Sequence, residues 1–389
     1  MKLSLFIPLF LLACLSPLAS STKAVLAGGA VSSPEIYEAF LDLVASVPDD
    51  EYIGVITAGV TWSVAESTAN DIIATLRRYG AANVEFLPFH TDNTGSCTAS
   101  ASSTLGQKVK KLTGIYFNGG ETIDILNCFA PNGEATPVLE IIQERYESGD
   151  LVLFGSSAGT LAFSSMPIQS ARTSYNTLVS GPTFTAKKGF GMFPYGFLDV
   201  HVNARSRQGR LTRLVRDYRS YSGIGFGIDE NTAMVLEGDR FKVVGTNGVL
   251  VLDVYSATSA TGNNNDNGRW AVRSARGTYL TTGDRYNLTS RVVTIPSWKL
   301  RLTDARKEDF TSKMTYSIFT PGMFTTLTTR LFQSGRSDST YGYTEETDPQ
   351  YRVNFREGSS STGYMGALNG VTHTTYLNLF IDMYCYANC

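Results

Sequence analysis

The chain has 389 residues, 17% charged and 42% apolar, with a formal net charge of −2. That length permits one large core, or a core domain with an appended one. The near-neutral balance, with no long basic run, argues against nucleic acid or an anionic membrane as the main partner.

After Met1-Lys2, residues 3–18 are almost wholly apolar, and Ala19 and Ser21 fit a small-x-small cleavage preference. Residues 1–21 therefore read as a signal peptide; a spanning helix would need ~18–20 apolar residues. A secreted, extracellular protein without a membrane anchor is expected, with a lysosome or vacuole as the alternative destination. Four cysteines remain beyond the leader: Cys97, Cys128, Cys385 and Cys389. In an oxidising compartment they favour disulfides, with Cys97–Cys128 and Cys385–Cys389 preferred and a bond tying the C-terminus to the body left open. No tight His/Cys spacing suggests a metal, and no cofactor is expected. Asn287-Leu288-Thr289 is a glycosylation sequon.

From Lys23 to Asp253, short β-rich runs alternate with helical patterns, the signature of an α/β fold with a mostly parallel sheet and helices on both faces. A strand over 24–27 closes at Gly28-Gly29. Ser33 and Pro34 then open a helix striped by Ile36, Phe40, Leu43 and Val44. Strands follow over 52–56 and 84–89, separated by a helix carrying Ile72, Ile73 and Leu76. A strand over 114–117 ends in Asn118-Gly119-Gly120, and a helix over 136–146 leads to the strand 151–154. Next comes Gly155-Ser156-Ser157-Ala158-Gly159, a sharp turn that would expose Ser157 and aim the following helix N-terminus at a developing anion. In open parallel sheets ligands gather beyond the carboxyl ends of the strands, so the turns at Gly28, Thr57, Gly119 and Ser157 should share one rim. After Asp253 a polar Gly/Asn loop and Thr- and Tyr-rich segments suggest a boundary. Residues 22–255 form one unit and 256–389 a β-rich C-terminal extension, with strand-like runs at 291–295 and 314–319.

A serine hydroxyl needs a base, and the chain has three histidines: His90, His201 and His373. His90 stands at the end of the strand 84–89 within reach of the rim, but a partly buried or surface histidine is the preferred reading; His373 lies in the extension. His201 closes Asp199-Val200-His201, where an extended strand would put Asp199 and His201 on one face.

Taken together, Asn118-Gly119-Gly120, the Ser157 turn, Asp199-Val200-His201 with Arg205, Arg207 and Arg210, and Gly225-Phe226-Gly227-Ile228-Asp229-Glu230-Asn231 resemble the cyanophycinase and dipeptidase E group of serine peptidases. The resemblance covers residues 24–253 and implies a glutamine-amidotransferase-like fold. It implies Ser157 as nucleophile, His201 as base, the N–H groups of Gly120 and Ala158 as oxyanion hole, and Arg205, Arg207, Arg210 and Thr122 as substrate contacts. The implied substrate is a peptide or isopeptide with an aspartyl residue beside the cleaved amide. Val200 and Thr122 stand where the cyanophycin-degrading branch has glutamines. No Asp or Glu lies between Asp150 and Asp199, the interval from which the family usually takes the acid behind its histidine. Asp199 is taken as the replacement; Asp229 and Glu230 are alternatives, although that pair also reads as a turn cap. The second functional reading is a catalytically impaired hydrolase fold serving as an extracellular binding or matrix component.

Overall fold

The computed structural model describes residues 22–168, 172–182, 188–258 and 268–389; the leader and most of the polar loop after 258 lie outside them. In chain order the first elements are β1 (Lys23–Ala27), α1 (Pro34–Ala45), β2 (Ile53–Ile56), α2 (Trp62–Arg78), β3 (Val84–Phe86), α3 (Thr104–Val109), β4 (Gly114–Phe117), α4 (Thr122–Phe129), α5 (Pro137–Ser148), β5 (Val152–Ser156) and α6 (Ala158–Ala162). There follow α7 (Ser174–Ser180), β6 (Phe197–Val200), α8 (Gln208–Asp217), β7 (Ile224–Ile228), β8 (Thr232–Glu237), β9 (Arg240–Gly245), β10 (Gly248–Asp253) and β11 (Val272–Thr281). The chain ends with β12 (Arg285–Asn287), β13 (Val293–Thr294), β14 (Leu300–Arg301), α9 (Met323–Gln333), β15 (Ser339–Tyr343), β16 (Gln350–Arg356), β17 (Thr362–Leu368) and β18 (Val371–Ala387).

Local chemistry sets several of these boundaries. Thr136 caps α5 by accepting the Leu139 N–H, Pro137 occupies its first turn, and Gly149 ends it in the left-handed region at φ 87°. The strands of the described residues form two nine-stranded sheets. In the first, β1, β5, β4, β2 and β3 run parallel, and β8, β9, β12 and β13 continue it antiparallel beyond β1. One face is covered by α1 and α2 through Ile36, Phe40, Val44, Ala69 and Leu76; α3, α4 and α5 cover the other. Burying a side chain such as Phe40 or Phe154, both fully enclosed, contributes roughly 1.5–3 kcal/mol.

The second sheet runs β14-β17-β18-β11-β10-β7-β6, with β16 and β15 joined to β18. Among its pairings β6–β7 is parallel and the rest antiparallel. Leu198, Val200, Phe226 and Val251 pack toward the first sheet, whereas Phe197, Leu250, Leu252 and Tyr279 face the side of α7, α8 and α9. The α/β class therefore holds, with parallel strands at the centre of a mixed architecture. Residue 255 marks no break, because β10 pairs with β11 across it and one core joins Leu211, Leu252, Tyr351 and Ile381.

The extension differs from its strand-like reading in two places. Residues 314–319 form no strand, only a bridge from Thr315 to Gly342, and the run 291–295 shrinks to β13. It also holds the helix α9, whose sequence Met-Phe-Thr-Thr-Leu-Thr-Thr looks β-prone. Thr328 and Thr329 reconcile it to the helix by turning their hydroxyls back to the carbonyls of Phe324 and Thr325. The bonded cysteine pairs are Cys97–Cys128 and Cys385–Cys389. No described helix is long and apolar enough to cross a membrane.

Candidate active site

β5 stops at Ser156 and α6 starts at Ala158, leaving Ser157 in the turn at φ 54° and ψ −116°. That left-handed backbone is strained for a residue with a Cβ. It is held by the Ser157 N–H donating to Ala27 O at 3.1 Å and by the Thr160 hydroxyl, whose one proton is shared between Ala27 O and Gly155 O, each 2.7 Å away. Ser157 Oγ lies 2.6 Å from His201 Nε2.

His201 follows β6 and has φ 52°. The strand ends one residue before it, so the alternation that would put Asp199 and His201 on one face does not apply. Asp199 points with Phe197 toward α8. There it is fully buried, accepts Arg210 Nε on Oδ2 at 2.9 Å, pairs again with Arg210 Nη2, and lies 3.7 Å from Arg207 Nη1. The acid behind the histidine is Glu230, whose Oε1 is 2.7 Å from His201 Nδ1. Parallel pairing of β6 with β7 brings the ends of those two strands together. Asp229 points elsewhere: it accepts the Asn203 N–H at 2.9 Å and the Tyr279 hydroxyl at 2.6 Å. The turn cap expected of this pair is supplied by Asn231, whose Oδ1 accepts the N–H groups of Ser32 and Ser33.

The Gly28-Gly29 turn organises both strand ends. Gly28 O accepts the His201 N–H at 3.0 Å and Gly29 O accepts the Asn231 N–H at 2.9 Å. The imidazole lies directly on Gly29, where a Cβ would stand 2.2 Å from His201 Cε1 and the backbone has φ 102°. Gly120 is constrained in the same way: at φ 129°, a Cβ would meet Gly59 O at 1.9 Å.

Burial holds the His201 imidazolium below its ordinary range; the hydrogen bond to Glu230 opposes this, and Arg205 adds to the lowering. The lowering favours the neutral ring, whose Nε2 can take a proton when the Nδ1 hydrogen faces Glu230. Burial also pulls Arg207 down to about 10 and pushes Asp229 up to about 7.

Ser157 and His201 open into a cavity of about 170 Å³ that Gly120, Thr122, Ala158, Arg205, Arg207 and Arg210 also line. The arginines are not equivalent. Arg210 is buried against Asp199, and Arg207 donates to Val200 O at 2.9 Å, while Arg205 is exposed at the mouth. Glu121, which the sequence reading passed over, also lines the cavity. His90 is buried and bonded to Val60 O, and His373 packs on Trp298; both lie outside this cavity. Asn287 donates its side-chain N–H to Asp239 Oδ2 at 2.9 Å, so the sequon nitrogen is engaged in the fold. Among the described residues no group of three or more His, Cys, Asp or Glu is placed to hold a metal.

An elbow serine at positive φ, an imidazole and a carboxylate stand in hydrogen-bonded series, the arrangement of a serine–histidine–acid site. The chain belongs to peptidase family S51, whose profile matches residues 37–244, from within α1 to β9. It is 31% identical over 197 residues to the cyanophycinases of Trichormus variabilis and of a Nostoc species, covering 49% of this chain and 62% of each relative. The cyanophycinase of Geminocystis herdmanii is 29% identical over 184 residues, covering 46% of this chain and 64% of that protein. The chain thus aligns with under two thirds of the length of these relatives. A solved peptidase from an acI-B1 actinobacterium is 19% identical, with a TM-score of 0.47 over 69% of this chain and 98% of the other.

Proposed function

We propose that the chain is a secreted serine peptidase that cleaves an amide beside an aspartyl residue, in a peptide or isopeptide, through an acyl-enzyme on Ser157. The observation that carries this is the continuous series Ser157 Oγ, His201 Nε2, His201 Nδ1, Glu230 Oε1, with contacts of 2.6 and 2.7 Å. His201 takes the hydroxyl proton as Oγ attacks the carbonyl carbon, and the N–H groups of Gly120 and Ala158 receive the oxyanion. The C–N bond then breaks, the amine leaving with the proton from His201. A water, deprotonated by His201, hydrolyses the ester and returns the serine. Glu230 keeps the ring in the tautomer this needs and stabilises its cationic form.

Arg205 and Arg207 are the substrate-facing cations, since Arg210 is committed to Asp199. They would receive the aspartyl carboxylate. The cyanophycinase relatives support this substrate class. The apolar leader and the cysteine pairs support an extracellular location, with Asn287 as the candidate glycan site. The Glu230 contact argues against the catalytically impaired alternative.

The test is a panel of α-aspartyl, β-aspartyl and aspartyl-isopeptide substrates, with matched asparaginyl controls, assayed by mass spectrometry. Cleavage at the aspartyl amide that disappears in Ser157→Ala is expected. Cleavage that persists in Ser157→Ala, or that shows no preference for the aspartyl series, refutes the proposal.

A further inference from the structure

In the second sheet β11, β18, β16 and β15 pair in succession. Alternate residues there, Tyr351, Val353, Phe355, Leu379, Ile381 and Met383, are fully buried on the side of α9. The opposite face carries four arginines, Arg273, Arg276, Arg352 and Arg356, all half-buried or exposed. Each guanidinium lies over an aromatic ring. Phe380 has Arg276 at 3.4 Å and Arg356 at 4.5 Å, Arg273 sits 3.6 Å from Tyr384, and Arg352 sits 3.9 Å from Tyr341. Strand register fixes the pattern, since Phe380 pairs with both Arg276 and Arg356, and Tyr384 pairs with Arg352.

Two further facts separate this face from ordinary charged surface. The whole chain is slightly acidic, yet among the described residues Arg276, Arg352 and Arg356 make no ion pair. The acid on the outward positions of β18, Asp382, has an oxygen engaged by the Ser274 N–H. Arg276 is also held below its ordinary value by burial and then by the like charge of Arg356, a repulsion that a bound anion would relieve. Stacking fixes the guanidinium planes of Arg276, Arg352 and Arg356; Arg276 Nη1 donates to Ser360 Oγ at 3.3 Å and Arg352 Nε to Asn354, and their remaining N–H groups can meet an oxyanion. Asp382 stands opposite Asn354, and Asp253, the cross-strand partner of Arg276, is ion-paired to Arg291 at 3.0 Å. The neutral groups among the cations are Asn354, which accepts Arg352 Nε at 2.7 Å and donates to the Tyr384 hydroxyl at 3.2 Å, and the exposed Asn378.

We propose that this face binds an acidic polysaccharide, a linear glycan bearing sulfate or carboxylate groups. Strands ~4.8 Å apart offer an extended, flat array of cationic forks, and the interleaved amide and phenol groups suit sugar hydroxyls. A single-stranded nucleic acid fits less well, because the rings on which bases would stack are already covered by guanidinium. This inference is independent of the active-site reading.

The test uses the full-length protein with dextran sulfate, polygalacturonate and neutral dextran as probes, in binding titrations at low and physiological salt. Binding to one or both polyanions but not to dextran, weakened at least tenfold in Arg276→Gln/Arg356→Gln and in Arg352→Gln, is expected. The replacements Arg276→Lys/Arg356→Lys should also weaken it, since they keep the charge and lose the stacked fork. Thermal melts of every variant establish that it is folded. Undiminished binding in the folded Gln variants, an equal loss in Arg240→Gln/Arg285→Gln at the edge of the first sheet, or tighter binding of oligothymidylate than of either polyanion overturns the proposal.

Discussion

Replacing Glu230 with Gln keeps the side chain's size and removes its charge, so it isolates what the carboxylate does for His201. A hydrogen bond to a charged group contributes ~1.5–3 kcal/mol, which at ~1.4 kcal/mol per tenfold is a loss of roughly 10- to 150-fold. The amide also permits the wrong imidazole tautomer, and in a triad with a buried acid that combination costs ~10⁴ in turnover. The Glu230 side chain is 33% exposed, so water screens it and replaces part of its effect. The expected loss is therefore ~10²–10³ in the second-order rate of labelling by a fluorophosphonate probe. The pH profile supplies a second readout. Labelling needs neutral His201, so it rises with pH through the imidazolium pKa. Glu230 raises that pKa against the lowering by burial, so Glu230→Gln should move the acidic limb to lower pH while lowering the plateau. Labelling at the wild-type rate with an unmoved acidic limb would refute the assignment.

Gly29→Ala places a methyl 2.2 Å from the His201 ring at a backbone angle that disfavours it; labelling should fall at least tenfold in protein whose circular dichroism stays native. Asp199→Asn leaves buried Arg210 without its counter-charge, and breaking such a pair costs ~3–5 kcal/mol, so thermal denaturation should show a loss of several degrees. Burial raises the folded pKa of Asp229 from its ordinary 3.8 to about 7, so the native state binds the extra proton between those values. Its contribution to stability falls as pH rises through that window and is lowest above about pH 7. In urea denaturation, the stability of Asp229→Asn relative to wild type should therefore improve from pH 4 to pH 7; a difference that stays flat contradicts the burial argument.

Much of this was legible because it is local. The Ile36/Phe40/Val44 stripe, the helix from Thr136 and the elbow at Ser157 each declare themselves within a few residues. The acid was not, because its place depends on three non-local facts: β6 stops at Val200, His201 turns to φ 52°, and β6 pairs in parallel with β7. The first two turn His201 off the face that Asp199 shares with Phe197, and the third brings in Glu230. Arg210, alike in sequence to Arg205 and Arg207, differs from them through that same Asp199. The extension misled through composition: its many threonines hid α9, where Thr328 and Thr329 bond back to the helix's own carbonyls, and no periodicity announced that β11 would pair with β10 across residue 255.

Ser157 acts in this mechanism as a nucleophile activated by His201. Intact-mass and peptide-mapping spectrometry of the folded protein after fluorophosphonate treatment tests this directly. One adduct on Ser157, absent in Ser157→Ala and strongly slowed in His201→Ala, is predicted. An unlabelled wild type, or an adduct on any other residue that survives Ser157→Ala, would contradict it.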